Sequence, residues 1–92
     1  MITAIILLNV TNEKINEVAQ SLVQLDGVSE VYSVAGRVDL VAIVRCSSEL
    51  QIASLVTEQV LAVEGIESSE TLIAFRAYSQ HDLERMFSIG ME

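Results

Sequence analysis

The chain repeats its own pattern at an interval of 38 residues. Residues 25–28 (Leu-Asp-Gly-Val) correspond to residues 63–66 (Val-Glu-Gly-Ile), and residues 4–6 (Ala-Ile-Ile) correspond to residues 42–44 (Ala-Ile-Val). Self-similarity at a fixed spacing indicates one supersecondary unit that occurs twice. Because 92 residues make only one small domain, both copies must share one core.

Hydrophobic periodicity predicts what the repeated unit contains. Four segments rich in β-branched residues are predicted as strands: residues 2–10, 28–35, 40–46 and 66 to about 77. Two amphipathic helices lie between them, the first with Thr11 and Asn12 as candidate caps and the second with a capping box at Ser48 and Gln51. Two successive strand–helix–strand units form the ferredoxin-like α+β sandwich, a four-stranded antiparallel sheet with both helices on one face.

The predicted domain and its tail divide near the end of the last strand. The βαββαβ domain is predicted to span residues 1–78, and residues 79–92 are predicted as a short C-terminal helix or tail. Each helix of the domain is predicted to end at a glycine, Gly27 or Gly65, because glycine suits the left-handed position after a helix. The apolar residues of the predicted tail helix are Leu83, Met86 and Phe87.

The first and third strands are apolar on both faces. A strand with one face in water alternates apolar and polar side chains, yet Ile5 and Leu7, like Val41 and Ile43, occupy the face that the helices leave bare. We therefore predict a homodimer that packs through the sheet. Burial of about 600 Å² of apolar surface per subunit would contribute roughly 15 kcal/mol before the entropy of association is subtracted.

The charge balance argues against several partners. Thirteen acidic and five basic residues give a net charge of −8, which disfavours direct contact with a nucleic acid backbone. The longest purely apolar run, residues 4–8, is far shorter than the roughly 20 residues of a membrane-spanning helix. With no targeting signal at its beginning and one cysteine, the sequence predicts a cytoplasmic protein without a membrane partner.

Residues for catalysis or metal binding are not grouped in the sequence. His81 is the single histidine and Cys46 the single cysteine, 35 residues apart, and no spacing suits a zinc site. We interpret Cys46 as a packing residue and His81 as a solvated or interface residue. The sequence therefore predicts no cofactor, no metal and no enzymatic activity.

Two segments carry candidate binding groups. Gly36-Arg37-Val38-Asp39 joins the second and third strands, where the aspartate can bind backbone amides or the ammonium group of a ligand. The hydroxyl-rich residues 67–71 begin the last strand and can bind a carboxylate or an amide. An ordinary hairpin turn and the solvated end of an edge strand are the alternatives for these two segments.

Four phrases in this order resemble the effector-binding domain of the Lrp/AsnC family of amino-acid-responsive regulators, called the RAM domain. They are residues 25–31 (Leu-Asp-Gly-Val-Ser-Glu-Val), 34–40 (Val-Ala-Gly-Arg-Val-Asp-Leu), 63–66 (Val-Glu-Gly-Ile) and 69–73 (Ser-Glu-Thr-Leu-Ile). The resemblance implies sheet-packed dimers, octamer-like rings and an amino-acid effector bound where dimers meet. By position, the effector-binding residues are Gly36, Arg37, Val38, Asp39, Ser69 and Thr71. Asp39 would bind the ammonium group, while turn amides and a hydroxyl would bind the carboxylate.

Two departures from the family pattern bear on function. Val38 stands where the family often has an aromatic residue, which alters the expected pocket. The sequence begins at the first strand without the helix-turn-helix domain of full-length regulators, so we expect a stand-alone module or a fragment that could also pair with full-length relatives.

Three other functions remain as alternatives to an amino-acid sensor. The first is a purely structural assembly module with a vestigial pocket. The second is a small dimeric ferredoxin-like enzyme, which would need a polar group within the apolar sheet face. The third is an ACT-like sensor, which shares the order of elements. The Gly-x-x-Asp turn between the second and third strands favours the Lrp/AsnC interpretation over the ACT-like one.

Overall fold

The computed structural model describes residues 1–80 of the chain. Four strands are present: β1 (Ile2–Val10), β2 (Val28–Ser33), β3 (Leu40–Cys46) and β4 (Ile66–Ile73). Helix α1 (Ile15–Val23) follows a 3-10 turn (Asn12–Lys14), and helix α2 (Glu49–Ser54) continues into a π-helical segment (Leu55–Val60). The predicted tail helix, with His81, Leu83, Met86 and Phe87, lies outside the described residues.

The four strands form one antiparallel sheet in the order β2-β3-β1-β4. In the centre, Ile5 pairs with Ile43 and Leu7 with Val41. This topology confirms the ferredoxin-like α+β fold and the central position predicted for the two strands that are apolar on both faces.

The core lies between the sheet and the two helices. Alternate residues of β1 and β3 are buried, which is the period of a pleated strand. The fully or almost fully buried side chains come from both layers: Ala4, Ile6, Leu8, Val10, Val18, Leu22, Val28, Leu40, Ala42, Val44, Ile52, Leu55 and Val60. None of the buried residues among those described is polar or charged.

The internal repeat appears in the backbone as two equivalent helix-to-strand connections. Gly27 and Gly65 have φ values of +98° and +108°, and each immediately precedes a strand. The Arg45 N–H donates to the Gly27 carbonyl (2.8 Å), and the Thr11 N–H donates to the Gly65 carbonyl (2.9 Å). Both connections are therefore fixed to the end of a neighbouring central strand.

The edge strands end earlier than predicted. Strand β2 ends at Ser33 rather than at residue 35, because the Val34 N–H already closes the hairpin on the Asp39 carbonyl (3.0 Å). Strand β4 ends at Ile73 rather than near residue 77, and its last paired residue on β1 is Ala4. The last of these backbone bonds joins the Ala74 N–H to the Thr3 carbonyl (2.9 Å).

The second helix has the predicted cap and an unpredicted wide turn. The Ser48 hydroxyl accepts from the Gln51 N–H (3.2 Å), while the side-chain oxygen of Gln51 accepts from the N–H of Ser47 (2.9 Å) rather than from that of Ser48. A five-residue bond from the Leu61 N–H to the Val56 carbonyl (2.9 Å) marks the π-helical segment. The wider turn brings Leu55 and Val60 to the same buried face.

The first helix begins differently from the prediction. Thr11 makes no side-chain cap, and Asn12–Lys14 form a 3-10 turn before α1 starts at Ile15. The Thr11 hydroxyl instead donates to Glu67 Oε2 (3.3 Å), so it joins the end of β1 to the start of β4.

Candidate functional site

Asp39 fixes the β2–β3 hairpin to the end of β1. Its Oδ2 accepts the Val10 N–H (2.9 Å), and its own N–H donates to the Leu8 carbonyl (2.9 Å). Its backbone carbonyl accepts the Val34 N–H (3.0 Å) across the hairpin. Two bonds of Asp39 therefore hold the turn that carries Gly36 and Arg37 beside β1, and the third closes the hairpin.

Three of the predicted site residues, Arg37, Val38 and Ser69, line one cleft of about 300 Å³ at this end of the sheet. We call it the Arg37 cleft, and its residues are Leu7, Asn9, Arg37, Val38, Ser68, Ser69 and Glu70. Asn9 Nδ2 donates to Ser68 Oγ (3.3 Å) within it. The cleft presents one cationic and one anionic side chain, so it suits a ligand that carries both charges.

Asp39 itself lines an adjoining cleft of about 490 Å³, which we call the Asp39 cleft. Its residues are Asn9, Val10, Thr11, Asn12, Glu13, Asp39 and Glu67. Asn9 belongs to both clefts, so they share a wall. Three carboxylates and no cationic side chain line the Asp39 cleft, and its electrostatic potential therefore favours positively charged groups.

Gly36 and Thr71 lie apart from these residues, and Ser69, which pairs with the buried Leu8, has its side chain on the helix side of the sheet. Gly36 is exposed in the hairpin turn. Thr71 pairs with Ile6, a buried residue on the helix side of the sheet, and lines an apolar groove between α2 and β4 with residues such as Ile52 and Val56. The structure therefore does not bring Thr71 together with the turn within one chain.

Three cleft residues, Asn9, Ser68 and Glu70, were not among the predicted effector-binding residues, although Ser68 and Glu70 lie in the candidate segment 67–71. Asn9 pairs with Ser68, and Leu7 pairs with Glu70, so all four side chains lie on the helix-free side of the sheet. The pairing depends on the register of β1 against β4. The polar residues 67–71 gave a signal for this strand but did not show which of its side chains face the turn.

The helix-free side of the sheet is apolar in its centre. We call it the open face, and it consists of Ile5, Leu7, Tyr32, Val41, Ile43 and Leu72. The four residues of the central strands are half-buried, and Tyr32 and Leu72 are 50% and 41% exposed. An apolar patch of this kind with a polar rim is typical of a protein interface.

Charged residues border the open face at β2. Arg45 Nη1 lies 3.7 Å from Glu30 Oε1, and the Tyr32 hydroxyl donates a hydrogen bond to the same carboxylate. That hydrogen bond and the negative charge of Glu30 raise the pKa of Tyr32 above its usual value. Arg45, Glu30 and Tyr32 thus place polar groups at this edge of the open face.

A groove of about 540 Å³ lies at the opposite end of the sheet. Cys46, Leu50 and Leu55 are among its lining residues, together with Met1 and Asp26. Across residues 1–80, no three His, Cys, Asp or Glu side chains are placed to hold a metal ion. In the same part of the chain no helix has the length and apolarity needed to cross a bilayer.

Comparison with known proteins identifies the family. A model of the Lrp/AsnC ligand binding domain matches residues 3–83. The chain belongs to the Lrp/AsnC family. The resemblance predicted from the four sequence phrases is therefore confirmed.

Two similar proteins differ in how much of their own length this Lrp/AsnC domain covers. TTHA0845 from Thermus thermophilus is 41% identical, with a TM-score of 0.81 over 87% of this chain and 100% of that one. The HTH-type transcriptional regulator FL11 from Pyrococcus furiosus is 30% identical over 86% of this chain but only 52% of its own length. The chain thus spans about half the length or less of the curated regulators that it matches.

A more distant structure shares the fold and was solved with a ligand. The feast or famine regulatory protein from M. tuberculosis, complexed with L-methionine, is 20% identical with a TM-score of 0.73 over 87% of this chain and 54% of that one. At 20% identity, this similarity shows that the two proteins share a fold and does not show which ligand this chain binds.

Proposed function

We propose that this Lrp/AsnC domain is a non-enzymatic amino-acid sensor that binds its effector between subunits. The effector would bind beside the turn of residues 36–39. The observation that carries this proposal is the meeting of Arg37, Val38 and Ser69 in one cleft of about 300 Å³, at the lower end of the range for small-molecule sites. The L-methionine complex of the M. tuberculosis protein supports an amino acid as the class of effector.

The open face supports a homodimer as the partner arrangement. Leu7 belongs both to the open face and to the Arg37 cleft. A second copy seated on the open face would therefore close one side of the cleft, and effector binding would depend on assembly. An effector can shift the assembly only by the difference between its affinities for the two states. Longer relatives that carry the same domain could pair through the same face, and rings of dimers would form through contacts beyond it.

Native mass spectrometry of the chain with the twenty L-amino acids tests both parts of the proposal. We expect a dimer or larger assembly that gains one amino-acid mass per site. An assembly that gains no mass would show a structural module without an effector. A stable monomer at micromolar concentration would contradict the proposed interface.

Asp39→Ala is expected to abolish amino-acid binding and to leave the dimer intact. The change removes the carboxylate that the family resemblance assigns to the ammonium group. It also removes the acceptor of the Val10 N–H, which holds the turn in place. The open face contains no atom of Asp39, so the mass of the assembly should not change.

Asp26→Ala is the matched control for Asp39→Ala. It makes the same chemical change in an exposed aspartate that lines the groove at the opposite end of the sheet. Calorimetric titration with the amino acid identified by mass spectrometry should give parent affinity for Asp26→Ala and no heat for Asp39→Ala. Parent affinity in Asp39→Ala would show that the site lies elsewhere.

A further inference from the structure

Arg37 and Glu70 are opposite charges that face one cleft without partners in the described chain. Across residues 1–80, neither side chain takes part in an ion pair or a side-chain hydrogen bond. The two ion pairs among the described residues, Lys14–Glu64 at 3.2 Å and Arg45–Glu30 at 3.7 Å, lie outside this cleft. The Arg37 cleft therefore offers one unpaired cation and one unpaired anion to a ligand.

The two charges come from different walls of the cleft. Arg37 belongs to the β2–β3 hairpin, whereas Glu70 lies on β4 and pairs with Leu7. The Asn9–Ser68 pair lies one step along the same two strands and supplies further polar groups. A ligand between the walls would meet a guanidinium group on one side and a carboxylate on the other.

We propose that Arg37 binds the carboxylate and Glu70 binds the ammonium group of an amino acid whose side chain is aliphatic and uncharged. This inference rests on the proposed function and names the groups that recognise the effector. A guanidinium group offers paired N–H donors that match a carboxylate, and an ammonium group forms charge-assisted bonds with a carboxylate. Leu7 and Val38 are the apolar residues of the cleft and would contact the side chain of the effector.

Asp39 then acts as a positioning residue. Its Oδ2 already accepts the Val10 N–H, and it lies in the adjoining cleft with Glu13 and Glu67. Three carboxylates there would repel the carboxylate of an amino acid, so that end of the ligand belongs in the Arg37 cleft. An asparagine at position 39 keeps an oxygen acceptor for Val10 and should keep the turn in place.

Paired changes in protein and ligand test the assignment. Calorimetric titration uses L-valine, L-valinamide, which lacks the carboxylate, and N-acetyl-L-valine, which lacks the ammonium group. We expect Arg37→Gln to weaken L-valine binding about tenfold and to leave L-valinamide binding unchanged, since a charged hydrogen bond is worth about that factor. We expect Glu70→Gln to weaken L-valine binding about tenfold and to leave N-acetyl-L-valine binding unchanged. Asp39→Asn should keep the parent's preference for L-valine over its N-acetyl form.

The controls are Arg76→Gln and Glu58→Gln, which remove the same charges from exposed positions outside the cleft. Unchanged L-valine affinity in Arg37→Gln or Glu70→Gln would overturn the inference while leaving the proposed function intact. A loss of ammonium preference in Asp39→Asn, but not in Glu70→Gln, would assign that role to Asp39 and also overturn the inference. If the parent binds another amino acid, the same three forms of it are used. If the parent binds none of the twenty amino acids, the proposed function itself is contradicted, and the inference that rests on it is contradicted as well.

Discussion

Ile5→Asp is expected to convert the assembled protein into a folded monomer. Ile5 lies at the centre of the open face, between its paired neighbours Ile43 and Leu72. It is half-buried in the single chain, so a carboxylate at this position can still reach water in the monomer. In a dimer packed through the open face, the same carboxylate would be buried without a partner.

The expected loss of affinity is large because a symmetric dimer contains the change twice. A buried charge without a partner costs about 3–5 kcal/mol, and each 1.4 kcal/mol changes a dissociation constant about tenfold. The two substituted copies together should raise the dissociation constant on the order of 10⁴-fold or more. At micromolar concentration the variant would then be monomeric.

Sedimentation equilibrium measures this change, and circular dichroism shows whether the sheet is retained. Leu50→Asp is the control, because Leu50 is 81% exposed in the first turn of α2, away from the open face. We expect the control to assemble like the parent. A folded Ile5→Asp variant with the parent's mass would show that the chain assembles through another surface.

The central strands could be predicted from the sequence to the residue. Strands β1 (Ile2–Val10) and β3 (Leu40–Cys46) have the predicted bounds, because buried apolar residues alternate along most of each strand and half-buried apolar residues lie between them in the centre. Strands β2 and β4 were predicted too long, since the end of an edge strand depends on where its single neighbour stops pairing. Strand β2 ends at Ser33, where the hairpin closes, and strand β4 ends at Ile73, where its pairing with β1 stops at Ala4.

The candidate site could be predicted only in part, because pairing between distant strands decides which side chains meet there. The turn residues Arg37 and Val38 have a local signal, because a Gly-x-x-Asp sequence between two strands indicates a hairpin. Glu70 lies in the polar segment 67–71, but its position beside the turn depends on pairing with Leu7, a residue distant in the sequence. The wide turn of the second helix, which brings both Leu55 and Val60 to the buried face, was also unpredicted.

Gly65→Ala is expected to destabilise the fold much more than Gly36→Ala. Both glycines have a left-handed φ, +108° at Gly65 and +140° at Gly36, so each alanine would cost about 1–3 kcal/mol in backbone strain. A Cβ at Gly65 would lie 3.0 Å from Val18 Cγ2 and 3.2 Å from Lys14 Cβ, whereas a Cβ at Gly36 would meet no atom within 4 Å. Val18 is 1% exposed and cannot move aside, so overpacking would add about 1–3 kcal/mol at Gly65.

Urea unfolding of both variants at one protomer concentration measures the difference, because the stability of an assembling protein depends on concentration. We expect the free energy of unfolding to fall by about 2–6 kcal/mol in Gly65→Ala and by about 1–3 kcal/mol in Gly36→Ala. The larger loss is a substantial part of the roughly 5–15 kcal/mol that stabilises a typical domain. Equal losses would show that α1 shifts to make room for the new methyl group. In that case the second helix-to-strand connection would not be rigid, and the two halves of the repeat would differ in how tightly they pack.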